Sequence, residues 1–161
     1  MDQNPAQCVP YRRSRFSTRL PTDRLYTPGH FWMLQESAGV WRVGLTKLAT
    51  RMLGELVEHG FDVKVGQPVK LGECVGWLEG FKAVSDLYSS ASGEFLGGNP
   101  DLEQNINLVD TDPYGQGWLF RVRGSADPEA LDVDRYIQIL DLSIDTMMGK
   151  GSANGGGEGL S

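Results

Sequence analysis

The residue in this chain best placed to do chemistry is a single lysine. In the stretch ECVGWLEGFKAVSDLYSSASGEF, residues 73–95, Lys82 is the only basic side chain, and apolar residues alternate away from it on both sides. By itself such a residue reads as an exposed turn lysine, and local chemistry alone assigns it no task. The other reactive side chains are scattered. His30 and His59 stand with Cys8 and Cys74 in none of the paired spacings of a structural zinc site, so no metal is assigned. The sequence holds no Gly-x-Ser-x-Gly elbow, phosphate loop or dinucleotide fingerprint. Glu55 with Glu58, and Asp110 with Asp112, read as surface charges rather than as paired catalytic acids. No catalytic residue follows, and the chain reads as a non-enzymatic protein.

The elements that must position the lysine come next. Val75, Trp77, Lys82, Val84 and Leu87 cannot alternate along one unbroken strand, so the chain must reverse. Gly80 has no Cβ and suits a tight turn at Gly80-Phe81-Lys82, which sets residues 74–79 antiparallel to residues 83–88. Lys82 then projects into solvent from a rigid support. Upstream, residues 39–46 (GVWRVGLT) alternate as a strand does, and Thr46 stands at a helix N-cap position. Leu48, Ala49, Met52, Leu53 and Leu56 recur at helical spacing, and Gly54 can stop that helix in a left-handed conformation. Short apolar segments punctuated by Gly66, Gly72, Gly76, Gly80 and Gly93 are strands by length. A second helix is expected from Asp127 as cap and Pro128 at its first position, with Val133, Ile137, Leu140, Ile144 and Met147 on one face.

The fold class implied is mainly β (α+β), with a short internal helix and a C-terminal helix. Residues 1–19 read as an irregular arm, 20–149 as one domain, and 150–161 as a disordered Gly/Ser-rich tail. The net charge of −6, from 15 basic and 21 acidic residues, argues against a nucleic-acid partner. No apolar run approaches the roughly 20 residues that span a bilayer, so no membrane insertion is expected. YRRSRFSTR (residues 11–19) is rich in Arg and Ser but has no amphipathic period, which favours a surface-draped arm over an organellar presequence. With only two cysteines, a reducing bacterial cytoplasm is the expected location and the mitochondrion the second choice.

The segment LEGFKAVSDLYSSASGEF (residues 78–95) resembles the modification hairpin of the glycine cleavage system H protein family, whose form is Glu-Ser-Val-Lys-Ala-x-Ser-Asp followed by a Ser-Gly-Glu turn. The matching residues are Glu79, Gly80, Phe81, Lys82, Ala83, Ser85, Asp86, Ser92, Gly93 and Glu94. A second resemblance lies at Leu108, Val109, Pro113, Tyr114, Gly115, Gly117, Trp118 and Leu119, on the pattern Leu-Val-Asn-x-x-Pro-Tyr-Gly-x-Gly-Trp-Leu. Residues 20–32 and 43–57 match the family's first strand and short helix in order. The resemblance implies a barrel-sandwich hybrid of antiparallel strands and a lipoic acid joined to Lys82 by an amide, as lipoyl-lysine. It implies that Glu79 and Gly93 are read by the lipoate ligase or lipoyltransferase, and that dihydrolipoamide dehydrogenase is a further partner. A biotin carrier, with methionines beside its lysine, is disfavoured by Phe81 and Ala83.

Three departures bear on what the arm carries. The family reads His-Glu-Trp where this chain has His30-Phe31-Trp32, and a phenyl ring cannot accept a hydrogen bond from a protonated amine, typically worth roughly 1.5–3 kcal/mol. Gly80-Phe81 replaces Ser-Val, and VEHGFDVKVGQPV replaces a segment beside the arm's path. Phe31, Phe81 and Asp86 are the arm-groove candidates. An apolar groove suits an uncharged or anionic sulfur adduct. The first expectation is therefore a lipoate-binding protein of sulfur oxidation, paired with a heterodisulfide-reductase-like complex. The alternative is the aminomethyl carrier, paired with glycine decarboxylase and aminomethyltransferase; an unmodified binding module is the third reading.

Overall fold

The computed structural model describes residues 7–153. It opens with an antiparallel hairpin, β1 (Cys8–Arg13) and β2 (Phe16–Pro21), followed by β3 (Leu25–Tyr26), β4 (Phe31–Ser37) and β5 (Val40–Leu45). Helix α1 (Lys47–Leu53) leads into β6 (Leu56–Phe61) and β7 (Pro68–Val69). Then come β8 (Cys74–Gly80), β9 (Val84–Tyr88), β10 (Ala91–Gly98) and two single-turn helices, α2 (Asp101–Gln104) and α3 (Leu108–Thr111). Strand β11 (Phe120–Ala126) and helix α4 (Val133–Ala153) complete the described residues.

All strand pairs are antiparallel. One sheet runs β3-β4-β5-β11-β10-β7, a second runs β6-β8-β9, and the β1-β2 hairpin stands apart. The mainly β architecture with a short internal helix and a C-terminal helix is the one expected from sequence. Period-two alternation explains the core between the sheets: Phe31 and Met33 of β4 and Val43 and Leu45 of β5 point inward, to meet Val75, Leu78 and Leu87 of the smaller sheet. Trp32, between two of these, points the other way.

That opposite face carries a second apolar layer. Trp32 and Tyr26 are covered by Tyr136, Leu140 and Ile144 of α4 and by Tyr11, Phe16 and Leu20 of the hairpin. The Trp32 indole donates to the carbonyls of Leu45 (3.1 Å) and Pro113 (3.0 Å), so its polar edge is satisfied inside. Among the described residues no helix is long and apolar enough to cross a membrane.

Four expectations are corrected. Residues 8–19 are not an irregular arm. Tyr11, Phe16 and Leu20 share one face only when the chain turns at Ser14-Arg15, where Ser14 takes φ +59°, and the intervening arginines mask that periodicity in the sequence. The second helix begins at Val133 rather than after Asp127. Asp127 accepts from the Glu129 amide (2.8 Å) and closes a turn, while Asp132 accepts from the Arg135 amide (2.9 Å) at the helix start. Met147, assigned to the buried face, is 45% exposed, and Tyr136 is buried instead. Helix α4 runs into the region expected to be a disordered tail, as far as Ala153; residues 154–161 of that tail lie outside the described residues.

Candidate functional site: a lysine at a hairpin tip

The β8-β9 hairpin places Glu79 opposite Val84, and Gly80 donates its amide to the Ala83 carbonyl (2.9 Å), so Phe81 and Lys82 are the two tip residues. Two-residue hairpins prefer turns with positive φ. Neither tip residue has positive φ. The tip is held from outside instead: the Phe81 amide donates to the Glu55 carbonyl and the Lys82 amide to the Leu53 carbonyl, each at 2.9 Å. The segment leaving α1 is thus a backbone clamp. Each bond has a net worth of about 1 kcal/mol.

Two glycines make the clamp possible. A Cβ on Gly80 would stand 2.2 Å from the Leu53 carbonyl oxygen, so the small residue is required by close approach and not by the turn conformation expected from sequence. Gly54 ends α1 at φ +79°, ψ −162°, a region essentially restricted to glycine. A Cβ there would lie 2.8 Å from Cγ of Lys82, so the lysine's methylene stem passes over the bare glycine. The Lys82 side chain is exposed and makes no ion pair among the described residues.

Two depressions flank the tip. On one side a groove of about 300 Å³ runs between β9 and α1, with Phe31, Leu45 and Ala49 below and Ala83, Asp86 and Tyr88 along its wall. Phe31 is buried, Asp86 exposed, and Met52 at the rim 43% exposed. The Tyr88 hydroxyl donates to Asp86 (3.2 Å), and that bond holds the phenol above its ordinary pKa. On the other side a polar trough of about 390 Å³ is bounded by Lys82, Glu55, Arg51 and Asp110. Lys47 donates there to the Asp110 carboxylate (3.1 Å) and carbonyl (2.9 Å).

Phe31 and Asp86 therefore share the groove named for them, while Phe81, 76% exposed at the tip, does not line it. Glu79 lies half-buried on β8, three residues before the lysine, between Glu58 and Val84. Gly93 is in the larger sheet, inside β10 rather than in a turn. It faces Gly124 of β11, and a Cβ on it would come 2.0 Å from the Arg123 carbonyl oxygen.

Sequence reasoning missed a buried polar relay behind the groove. Tyr136 Oη lies 2.8 Å from His30 Nδ1 and 2.7 Å from Thr46 Oγ1, tying β4, α1 and α4 together. This is why Thr46 caps α1 without a side-chain bond to the helix. His30 sits at φ +71°, and burial pushes its imidazole down to about 4. The signal available was a His immediately before a strand that opens Phe31-Trp32; its partner, a Tyr 106 residues on, is invisible to local pattern.

A β sandwich that clamps a hairpin by its backbone, offers at the tip an amine with no ion pair among the described residues and sets an apolar groove beside it has the form of a carrier domain for a covalently attached acyl group. The comparisons narrow this class. The family model for the glycine cleavage H-protein matches residues 24–138. A glycine cleavage system H protein of Corynebacterium jeikeium is 40% identical over 123 residues, covering 74% of this chain and 95% of the relative, and one of Rubrobacter xylanophilus is 42% identical over 122 residues, covering 76% and 95%. The crystal structure of a glycine cleavage system H protein from Mycobacterium marinum superposes with a TM-score of 0.69 at 36% identity, covering 76% of this chain and 99% of that one. The chain belongs to the glycine cleavage H-protein family.

Members of this family are non-catalytic carriers with lipoate attached covalently to a lysine. An exposed lysine with an unobstructed stem and an apolar groove beside it fits that group. These relatives favour the aminomethyl carrier, the alternative in the sequence reading, over the sulfur-oxidation role placed first, and they give no support to a heterodisulfide-reductase-like partner.

Proposed function

We propose that Lys82 is the lipoyl attachment residue and that the chain is the aminomethyl carrier of a glycine cleavage system, serving glycine decarboxylase, aminomethyltransferase and dihydrolipoamide dehydrogenase. The observation that carries the reading is the tip itself: both tip amides are bonded to the 53–55 segment while the Lys82 amine makes no ion pair or side-chain hydrogen bond among the described residues. A rigid mount with a free nucleophile suits attachment by a lipoate ligase or lipoyltransferase. Glu79, three residues before the lysine, and Gly93 are the proposed recognition positions. When bound, lipoate supplies the dithiol chemistry; the chain supplies position, shelter and a partner surface.

Asp86 is the carboxylate on the groove. It can pair with a protonated amine brought into the groove, a bond worth roughly 1.5–3 kcal/mol, and so takes the part that Phe31 cannot. Phe31, 7% exposed at the groove floor, is the single observation favouring a neutral or anionic load and hence the sulfur-oxidation reading.

The test is to coexpress the chain with a lipoate ligase, locate the added mass, and reconstitute the product with glycine decarboxylase to follow exchange of bicarbonate carbon into glycine. Mass on Lys82 and robust exchange are expected, both lost in Lys82→Arg. A lipoylated chain that supports no exchange would return the sulfur reading to first place, and mass on another lysine would remove Lys82.

A further inference from the structure

The family match ends at residue 138 and begins at 24, and the solved relative is covered to 99% by only 76% of this chain. The β1-β2 hairpin and residues 139–153 of α4 thus lie outside the family match. They form one unit. Tyr11 donates to Asp141 (2.7 Å), Arg13 forks onto Asp145 (2.8 and 2.9 Å), and Phe16 and Leu20 pack with Leu140 and Ile144.

We propose that this layer, a reading that rests on the carrier role above, is a docking surface for the enzyme that loads the arm, which meets it with an acidic face bearing an apolar side chain. Two observations define that occupant. The outward face of the hairpin and its turn expose Arg12, Arg15 and Arg19, which make no ion pair or side-chain hydrogen bond among the described residues, in a chain whose net charge is −6. Local positive charge of this kind steers an acidic partner and fixes its orientation. Beside it lies an apolar groove of about 240 Å³ walled by Phe16, Leu48, Ile144 and Met147, with Arg15 and Arg51 at its edge.

Arg51 gives the surface its place. Its guanidinium lies 5.5 Å from the Phe16 ring centroid, and the same side chain borders the polar trough that contains Lys82. A partner seated on the groove therefore abuts the lysine site along α1. A second copy of this chain seated there would crowd the trough that an arm-loading enzyme must reach, which favours the enzyme over self-association.

The experiment uses the full lipoylated chain, the triple variant Arg12→Glu/Arg15→Glu/Arg19→Glu and, independently, Met147→Gln. Dissociation constants for glycine decarboxylase are measured at low and moderate salt, alongside KM for the carrier in bicarbonate exchange, with folding checked by urea denaturation. The triple variant is expected to weaken binding and raise KM at least tenfold at unchanged kcat, with a shallower salt dependence, and Met147→Gln to weaken binding at any salt. Binding and KM within twofold of wild type in both variants overturn the docking surface while wild-type exchange leaves the carrier reading standing. A concentration-dependent dimer, or pelleting with anionic phosphatidylglycerol vesicles, abolished by the triple variant with KM unmoved, also overturns it. Wild-type protein that neither binds the decarboxylase nor supports exchange overturns both.

Discussion

Replacing Gly54 by alanine tests whether the lysine tip is held by the clamp after α1. The native φ +79°, ψ −162° costs a non-glycine residue of order 1–3 kcal/mol, and the new methyl would press on Cγ of Lys82 at 2.8 Å. The chain has a second way to respond. It can let residues 53–55 relax and give up the two amide bonds from Phe81 and Lys82, a loss of about 2 kcal/mol at about 1 kcal/mol each. The cheaper route caps the cost, so destabilisation of about 2 kcal/mol is expected, or roughly 30-fold in the unfolding equilibrium. With an m-value of about 2 kcal/mol/M in urea, the midpoint moves down by about 1 M. The routes differ in amide exchange: if the clamp opens, the Phe81 and Lys82 amides lose protection and the rate of lipoylation falls, whereas if strain is retained both stay near wild type. A Gly54→Ala protein within 0.5 kcal/mol of wild type, with both amides still protected, would refute the clamp.

Gly93→Ala should destabilise by more than Gly54→Ala, because the atom at 2.0 Å is the Arg123 backbone oxygen and cannot swing away; thermal unfolding reads this. Lipoylation of that variant below its melting point separates a recognition role from the strand crossing, since a purely structural glycine leaves the rate of the folded fraction unchanged. His30 titrates below its unfolded value, near 6.5, at about 4 when folded, so the unfolded chain takes up the proton first as pH falls. Its contribution is intact above pH 6.5 and is lost progressively towards pH 4, about 3 kcal/mol in all; His30→Asn, which tolerates the +71° φ, should flatten urea midpoints measured across that window. A wild-type slope unchanged by the substitution would count against a buried neutral imidazole.

The sequence carried the tip and the two-sheet core further than it carried the support around them. Lys82 was legible as the lone basic residue of one local hairpin, whereas Glu79, Asp86 and Phe31 were named through the resemblance to the family, whose motifs are short and local. The clamp was not legible, because it joins the amides of residues 81 and 82 to the carbonyls of 55 and 53, and backbone bonds between distant segments leave no residue-type signature. Gly80 was assigned the right importance for the wrong reason: a glycine in a strand can mark either a turn or a close approach, and only the Leu53 oxygen at 2.2 Å decides. The hairpin of residues 8–21 was hidden because its inward face is completed by α4, more than 100 residues later, and its outward face is arginine.

The mount and the groove answer opposing demands on one side chain. A carrier must present its arm at a fixed point yet release it, and here fixation falls on the backbone while release is left to the groove. Each methylene fully buried contributes about 0.8 kcal/mol, so five sheltered methylenes would stabilise a resting arm by ~4 kcal/mol and leave roughly one molecule in a thousand extended. A closed pocket would thus trap what the carrier has to deliver. The groove beside Lys82 instead has a rim that stays wet: Met52 is 43% exposed, Tyr88 46% and Val84 66%. Its floor at Phe31 is dry, so an arm attached at Lys82, as proposed above, would be held at one end and stay in solvent at the other. Enlarging the dry part, as Val84→Phe would at the rim, should slow delivery to a partner without changing attachment at Lys82; faster or unchanged turnover by that variant would show that the groove does not set the balance.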